Sequence, residues 1–310
     1  MDPVDHDLVI IGAGPAGLTA GLYAARSRLK VVLLERFAPG GQTLNTDWVD
    51  NYPGFPEGIS GFDLIDKMKA QADRFELDHL LAEVEEIVPE EGRYRLNLAQ
   101  GSLSARAVII ATGAEPSKLG IQGEAELTGR GVSYCGTCDA PFYKDKVLAA
   151  VGGGDTACQE AIYLTRFAKK VFLIHRRDEL RAQKINQEKV LANEKISLVW
   201  DTVVDGIEGQ NQVKSVTLRN VKTNQTDSLA VDGIFIWVGI KPNTGFCAKL
   251  LELDQGGFIL TDSEMATPRP GVFAAGDCRS KLLRQISTAV GDGATAAFNA
   301  EHYIESLEHA

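Results

Sequence analysis

With 310 residues the chain is long enough for two domains, each with its own core. Acids outnumber bases by 42 to 32, for a net charge of −10, which argues against nucleic acid or an anionic membrane as a partner and makes any basic cluster conspicuous. Five cysteines, only two of them close in sequence, do not make a secreted disulfide framework, so a reducing cytoplasm is the expected location.

Met1 to Asp7 holds three aspartates and no lysine or arginine, so no signal peptide is expected. No apolar run reaches the roughly 18 residues of a membrane span. Leu8 to Ile11 reads as a strand buried on both faces of a parallel sheet. Gly12-Ala13-Gly14-Pro15-Ala16-Gly17 follows at once, a G-x-G-x-x-G between that strand and a helix through Leu18 to Arg26. Its glycines allow a tight turn and let backbone approach a pyrophosphate seated on the helix N-terminus. Lys30 to Leu34 is the next strand and ends in Glu35, about 20 residues on, where an acid bonds a ribose 2′-hydroxyl. This site is therefore expected to take an adenosine without a 2′-phosphate.

Pro39-Gly40-Gly41-Gln42 and Asp50-Asn51-Tyr52-Pro53-Gly54 are loops by their turn residues. A helix is expected from Phe62 to Phe75, then a small antiparallel meander around Tyr94 to Leu98, then an apolar strand, Ala107 to Ile110, running into Ala111-Thr112-Gly113. Pro116 and Gly120 mark a connector.

Tyr134-Cys135-Gly136-Thr137-Cys138-Asp139 is a C-x-x-C followed by an acid. Such a pair can close a small disulfide ring, and its thiolate is acidified enough to attack at neutral pH. Half of a zinc site looks the same, but no second C-x-x-C or paired histidine motif completes one, so no metal is expected. Cys158, Cys247 and Cys278 stand alone and are expected to be buried packing residues.

The pattern then begins again. Val147 to Val151 is a strand, Gly152-Gly153-Gly154-Asp155-Thr156-Ala157 a second fingerprint, Cys158 to Phe167 its helix and Lys170 to Ile174 the next strand. Where the first copy placed Glu35, this one places His175, followed by Arg176, Arg177 and Arg181. A charge run is usually a solvated face, but this one is in register with the ribose-reading position. Arginine forks bind phosphate and a carboxylate would repel it, so the second copy reads as built for NADPH. Another meander is expected over Ile196 to Leu229, and Ile234 to Gly239 closes the unit.

Gly271-Val272-Phe273-Ala274-Ala275-Gly276-Asp277 is a strand ending in small residues and an acid that could accept from a sugar hydroxyl. Arg284-Gln285-Ile286 leads into a small-residue helix, Ser287 to Ile304. The expected fold is α/β: two Rossmann-like dinucleotide-binding domains, each a three-layer unit with a parallel sheet plus β-meander, the second (residues 115–245) inserted into the first (1–114 and 246–310). Glycines near the two crossings, 113–116 and 239–245, make those segments the expected hinges.

The ordered set of both fingerprints, the Gly40-Gly41-Gln42 loop, Asn51, the A-T-G at Ala111, the C-x-x-C-D, H-R-R-x-x-x-R and the A-A-G-D with Arg284-Gln285 resembles the low-molecular-weight bacterial-type thioredoxin reductases over essentially the whole chain. The resemblance implies FAD in the first site, held by Gly12, Ala13, Gly14, Pro15, Ala16, Glu35, Gly41, Gln42, Asn51, Val84, Ala111, Thr112, Gly113, Asp277, Arg284, Gln285 and Ile286. It implies NADPH in the second, held by Gly152, Gly154, Asp155, Thr156, Ala157, His175, Arg176, Arg177 and Arg181. It further implies a homodimer, thioredoxin or a thioredoxin-like protein as partner, Cys138 beside the flavin, Cys135 as the attacking sulfur and Asp139 as proton donor and acceptor. Gly136, Ala140 and Asp155 depart from the commoner Ala, Gly and Asn. Two other functions use the same parts: a flavin-based redox sensor, and an NADPH oxidase acting on oxygen or quinone, for which Cys135 and Cys138 would be dispensable.

Overall fold

The computed structural model describes residues 4–46 and 48–309, so the start of the acidic Met1–Asp7 segment lies outside it. The chain forms two compact units: one runs to Glu115 and resumes at Lys241, and the other is Pro116–Ile240.

The first unit is built on a sheet whose parallel strands are Asp78–Leu81, Val31–Glu35, His6–Ile11, Ser102–Ile110 and Val272–Ala274. Successive side chains of a strand point to opposite faces, so a strand buried on both must be apolar throughout. Leu8, Ile10, Leu33, Ala107 and Ile109 face one layer, made by the helices Pro15–Arg26, Gly61–Asp73 and Ile286–Glu308. Val9, Ile11, Leu34, Val108 and Ile110 face the other, with Ile87, Tyr94 and Leu96 of the meander. Each large side chain so buried contributes roughly 1.5–3 kcal/mol. Ser102–Ile110 does double duty: its first half pairs antiparallel with Arg93–Leu98 and its last three residues pair parallel with Val272–Ala274, so meander and parallel sheet are one sheet.

The second unit repeats the plan. Its parallel sheet runs Ile196–Val199, Lys170–Ile174, Val147–Val151, Gly233–Ile236, Val132–Ser133. Leu148, Ala150, Leu173 and Phe235 face the helix layer, whereas Ala149, Val151, Ile234 and Ile236 face the meander. Here the meander is a separate three-stranded sheet, Thr202–Gly209, Val213–Asn220 and Thr226–Ala230. It starts later than the sequence suggests. Ile196–Val199, expected in the meander, is instead the parallel edge strand beside Lys170–Ile174, returned there by the crossover helix Lys184–Leu191. An edge strand covered on one side needs no full apolar run, which is why its half-buried residues look like meander.

Glycine sets how near the layers come. A methyl on Gly293, in the C-terminal helix, would run into the carbonyl oxygen of Ala16, so that helix packs backbone-close on the first fingerprint. No helix among the described residues is long and apolar enough to cross a membrane. Gly293→Ala forces the two helices apart and is expected to destabilise the first unit by about 1–3 kcal/mol, seen as a lower urea midpoint, while Gly291→Ala, exposed in the same helix and facing open space, should leave the midpoint unchanged or raise it slightly.

Candidate functional site

In the first unit, Gly12 turns the chain at φ +103°, where a side chain would stand 2.5 Å from the carbonyl oxygen of Ala111. Gly14 by contrast meets nothing, leaving the helix N-terminus open on the side from which a phosphate approaches. Pro15 opens the helix, where its missing N–H costs no bond. Glu35 is held at the end of its strand by the N–H groups of Ala13 (2.9 Å, to Oε2) and Phe37 (3.1 Å, to Oε1), with lone pairs left over for a ribose diol. Gly40 donates its N–H to the Ala13 carbonyl at 2.8 Å, which places the Gly41-Gln42 turn over the fingerprint.

The A-T-G corner is fastened by a residue the sequence reading passed over. Asn243 donates Nδ2 to the Thr112 carbonyl (3.1 Å), its N–H to the Gly113 carbonyl (3.0 Å), and accepts at its own carbonyl from Thr112 Oγ1 (2.7 Å). Asn51 Nδ2 donates to Gln285 Oε1 at 3.0 Å, and Gln285 in turn caps the C-terminal helix with Thr288. Ile286 packs on Val49, Ile59 and Leu64, and Val84 lies in the core beneath the sheet.

Two buried polar atoms here find no partner among the described residues, Asp277 Oδ1 and Arg284 Nε. The Arg284 guanidinium is steadied instead over the Phe258 ring, 4.2 Å from its centroid. Burial raises the Asp277 pKa, and the nearby charges of Lys281 and Arg284 offset only part of that. Native structures rarely leave buried polar atoms unpaired. These two, with Gly14 and Gly113 open to solvent space, fit a ligand with phosphates, hydroxyls and a polar ring, as FAD has.

In the second unit, Gly152 at φ +149° lies where a side chain would stand 2.5 Å from the Trp237 carbonyl oxygen, and Gly154, open, caps the helix Asp155–Leu164. Asp155 is a brace: Oδ1 accepts the Gln183 N–H (2.8 Å) and Asn186 Nδ2 (2.6 Å), bonds that hold its carboxyl below the usual range. The Arg181 N–H donates to the Gly153 carbonyl at 2.7 Å. The guanidinium groups of Arg176, Arg177 and Arg181 are exposed and carry no ion pair among the described residues, ready for a phosphate. Thr156 is exposed beside them and Ala157 buried under the turn.

His175 is the exception in this cluster. Its ring is buried, pressed against Gly153 and edge-on to Trp200, and its Nε2 has no partner among the described residues. Burial, and then the charges of Arg181 and Arg177, push its pKa down, so it is a neutral plate under the glycine turn and not a fourth cation.

Cys135 and Cys138 are joined by a disulfide across the short turn Gly136–Asp139. Cys138 donates its N–H to Cys135 Sγ at 3.2 Å, a bond that would strengthen on a thiolate. The turn is fixed on its N-terminal side. Tyr134 OH donates to Glu124 Oε1 (2.9 Å), Trp237 Nε1 donates to the Tyr134 carbonyl (3.2 Å), and the Cys135 N–H donates to Ser133 Oγ (3.1 Å). Glu124 is buried and also accepts the N–H groups of Leu119 and Gly120. Gly136 has a reason: the Glu160 carboxyl occupies the place its side chain would take, with Oε2 sealed off and its pKa raised by burial. Beyond the turn, the Tyr143 hydroxyl is pushed up to about 12 by burial and then by the charge of Asp139.

The remaining cysteines are buried thiols. Burial pushes Cys158 and Cys278 up to about 11 and Cys247 up to about 12. Cys247 and Cys278 donate to the carbonyls of Thr244 and Ile110, at 3.1 and 3.3 Å.

The profile of the pyridine nucleotide-disulphide oxidoreductases matches residues 6–293. A thioredoxin reductase of Listeria innocua is 47% identical over 306 residues, 98% of this chain and 96% of the relative. One of Treponema pallidum is 45% identical over 305 residues, 98% and 99%. The crystal structure of thioredoxin reductase from Streptococcus pyogenes aligns with a TM-score of 0.94 at 49% identity, over 97% of this chain and 98% of that one.

The geometry separates two kinds of cysteine. In the folded, oxidised protein at pH 8, iodoacetamide is expected to label no thiol; after reduction, mass spectrometry should find label on Cys135 and Cys138 but not on the three buried cysteines. Because high thiol pKa values keep Cys158, Cys247 and Cys278 protonated, their slow labelling should rise only toward pH 11 or on unfolding.

Proposed function

The chain belongs to the pyridine nucleotide-disulphide oxidoreductases, among their thioredoxin reductases, and on that footing we propose that Cys135 and Cys138 are the exchange sulfurs through which NADPH, by way of FAD, reduces the disulfide of a thioredoxin or thioredoxin-like protein. The observation that carries the reading is the Cys135–Cys138 disulfide lying on the same unit as a fingerprint whose ribose-reading position is arginine-rich.

The unit running to Glu115 and resuming at Lys241 holds FAD, with the Gly12–Gly17 turn at the pyrophosphate, Glu35 at the adenosine ribose, and Asp277 with Arg284 supplying the two open polar atoms. FAD, when bound, relays two electrons from the nicotinamide to the disulfide. The unit Pro116–Ile240 holds NADPH, with Arg176, Arg177 and Arg181 around the 2′-phosphate and His175 supporting the turn from below.

Reduction of Cys135–Cys138 adds two electrons and two protons and leaves a dithiol, from which Cys135 loses one proton to become the attacking thiolate. The Cys135 thiolate, stabilised by the Cys138 N–H, attacks one sulfur of the substrate disulfide, and the other sulfur leaves as a thiolate. Cys138 then attacks Cys135 in the mixed disulfide, freeing the substrate's second thiolate and restoring the ring. Asp139 passes protons between these thiolates and water. Thioredoxin sits near about −270 mV, so the donor pair must lie close to or below that value. As in the family it resembles, the enzyme is read as a cytoplasmic homodimer.

Steady-state NADPH oxidation by the purified yellow protein should depend on added thioredoxin. Turnover with oxygen or quinone alone, unaffected by Cys135→Ser, would establish the oxidase reading, and a flavin reduced by NADPH with no turnover on any thioredoxin the sensor reading. Cys138→Ser and Cys135→Ser should each abolish thioredoxin reduction while flavin bleaching by NADPH persists. Replacing Arg176 and Arg181 by Ala removes two charge-assisted bonds worth roughly 1.5–3 kcal/mol each, so the ratio of kcat/KM for NADPH over NADH should fall by about tenfold or more.

A further inference from the structure

The C-terminal helix carries an acid that neither fingerprint requires. Asp292 lies in its second turn, next to Gly293, whose bare backbone packs on Ala16 and so brings the carboxylate to the loop that follows Val272–Ala274. Its Oδ2 accepts the Gly276 N–H (3.0 Å), Arg279 Nε (2.8 Å) and Lys281 Nζ (2.7 Å), and its Oδ1 accepts Arg279 Nη2 (3.0 Å). The three side chains are nearly sealed from water, 15% exposed for Arg279, 8% for Lys281 and 9% for Asp292. Thr261 Oγ1 takes one more bond from Arg279.

Asp277 sits in the same loop, one residue after Gly276, yet its Oδ1 has no partner among the described residues. The two acids have opposite fates. Burial would raise the Asp292 pKa, but the bonds from Arg279 and Lys281 outweigh it and hold the carboxyl below its usual range. Burial raises Asp277, and Lys281, already engaged, offsets only part of it. A buried cation whose partner is removed seeks another, because leaving it unpaired is costly. For Lys281 that other carboxylate is Asp277, whose pKa already responds to its charge.

We propose that Asp292 is a positioning residue for the flavin nucleotide: by engaging Lys281, with Arg279 fixing its own carboxylate in place, it keeps the lysine off Asp277 in the same loop, whose carboxyl is thereby left open to bond a hydroxyl of the cofactor. The proposal rests on the reading of this unit as the FAD site, which the flavin absorbance of the wild-type protein tests on its own. Asp292→Asn keeps the shape of the side chain but loses its charge, so Lys281 turns to Asp277 and closes the site from within. Lys281→Met removes the competitor.

The test compares wild type, Asp292→Asn, Lys281→Met and the double variant, each purified as holoenzyme and diluted while the fluorescence of released FAD is followed. Circular dichroism confirms folding at the working temperature, and NADPH affinity serves as a control on the other unit. Asp292→Asn should release FAD with a Kd raised about tenfold or more, Lys281→Met should stay within about threefold of wild type, and the double variant should recover most of the loss. A role confined to stability would lower the melting temperature and leave the Kd of the folded protein unmoved. An unchanged Kd in Asp292→Asn, or a double variant as weak as the single one, overturns the proposal. Should Asp292→Asn not fold, the double variant decides: folded with near-native FAD affinity it supports the proposal, and unfolded or weakly binding it refutes it. A wild-type protein that holds no FAD would refute the reading of the site itself.

Discussion

The constraint on which the rest depends is how closely backbone must approach backbone at a phosphate-binding turn. At the first fingerprint, missing side chains let three chain segments converge: Gly12 against Ala111, Gly17 against the Gly12 carbonyl, and Gly293 against Ala16. The first and last of these contacts join elements far apart in sequence, so the turn is as much a device for setting helix-to-sheet distances as a cradle for a ligand. The second unit solves the same problem with different partners, Gly152 against Trp237 and Gly153 against the His175 ring. One consequence reaches the redox centre. Trp237, whose carbonyl abuts Gly152, bonds through its indole N–H to Tyr134, the residue before Cys135, so one residue ties the coenzyme turn to the dithiol turn.

Charge is sorted as carefully as space. In a chain of net charge −10, Arg176, Arg177 and Arg181 carry no ion pair among the described residues, while two acids near them are engaged elsewhere. Asp155 braces Gln183 and Asn186, and Asp178 is taken by Lys222 at 2.8 Å. In the other unit Asp292 accepts from two cations, while Asp277 Oδ1 has no partner among the described residues. The same economy governs sulfur. One pair of cysteines sits on a short turn beside a backbone N–H, and the three others lie in the core, where desolvation holds the thiol against ionisation.

Much of this was legible in the chain itself, for a reason that can be stated. Strand, glycine turn, helix, strand and ribose-reading residue follow one another within about 30 residues, so the dinucleotide sites are encoded locally, and the inversion from Glu35 to the arginines after His175 could be read as a difference between two copies. The C-x-x-C is likewise local: a turn of four residues brings its sulfurs together whatever surrounds it. The edge strand Ile196–Val199, only half-buried, lacks the unbroken apolar run of a strand covered on both faces, which let it pass for part of the meander.

Sequence alone therefore determined the fold class, the repeat, the dithiol and the sign of charge at the end of each second strand, because each depends on neighbours in the chain. Tertiary structure alone decided the rest. That Asn243 fastens Thr112, that Glu160 fills the place of a side chain on Gly136, that His175 is a buried neutral plate while the arginines beside it are exposed, and that Asp292 gathers Arg279 and Lys281 all depend on atoms brought within bonding distance by packing of separate elements. A residue type states what bonds a side chain can make, and only the folded backbone states which partner is within about 3 Å to make them.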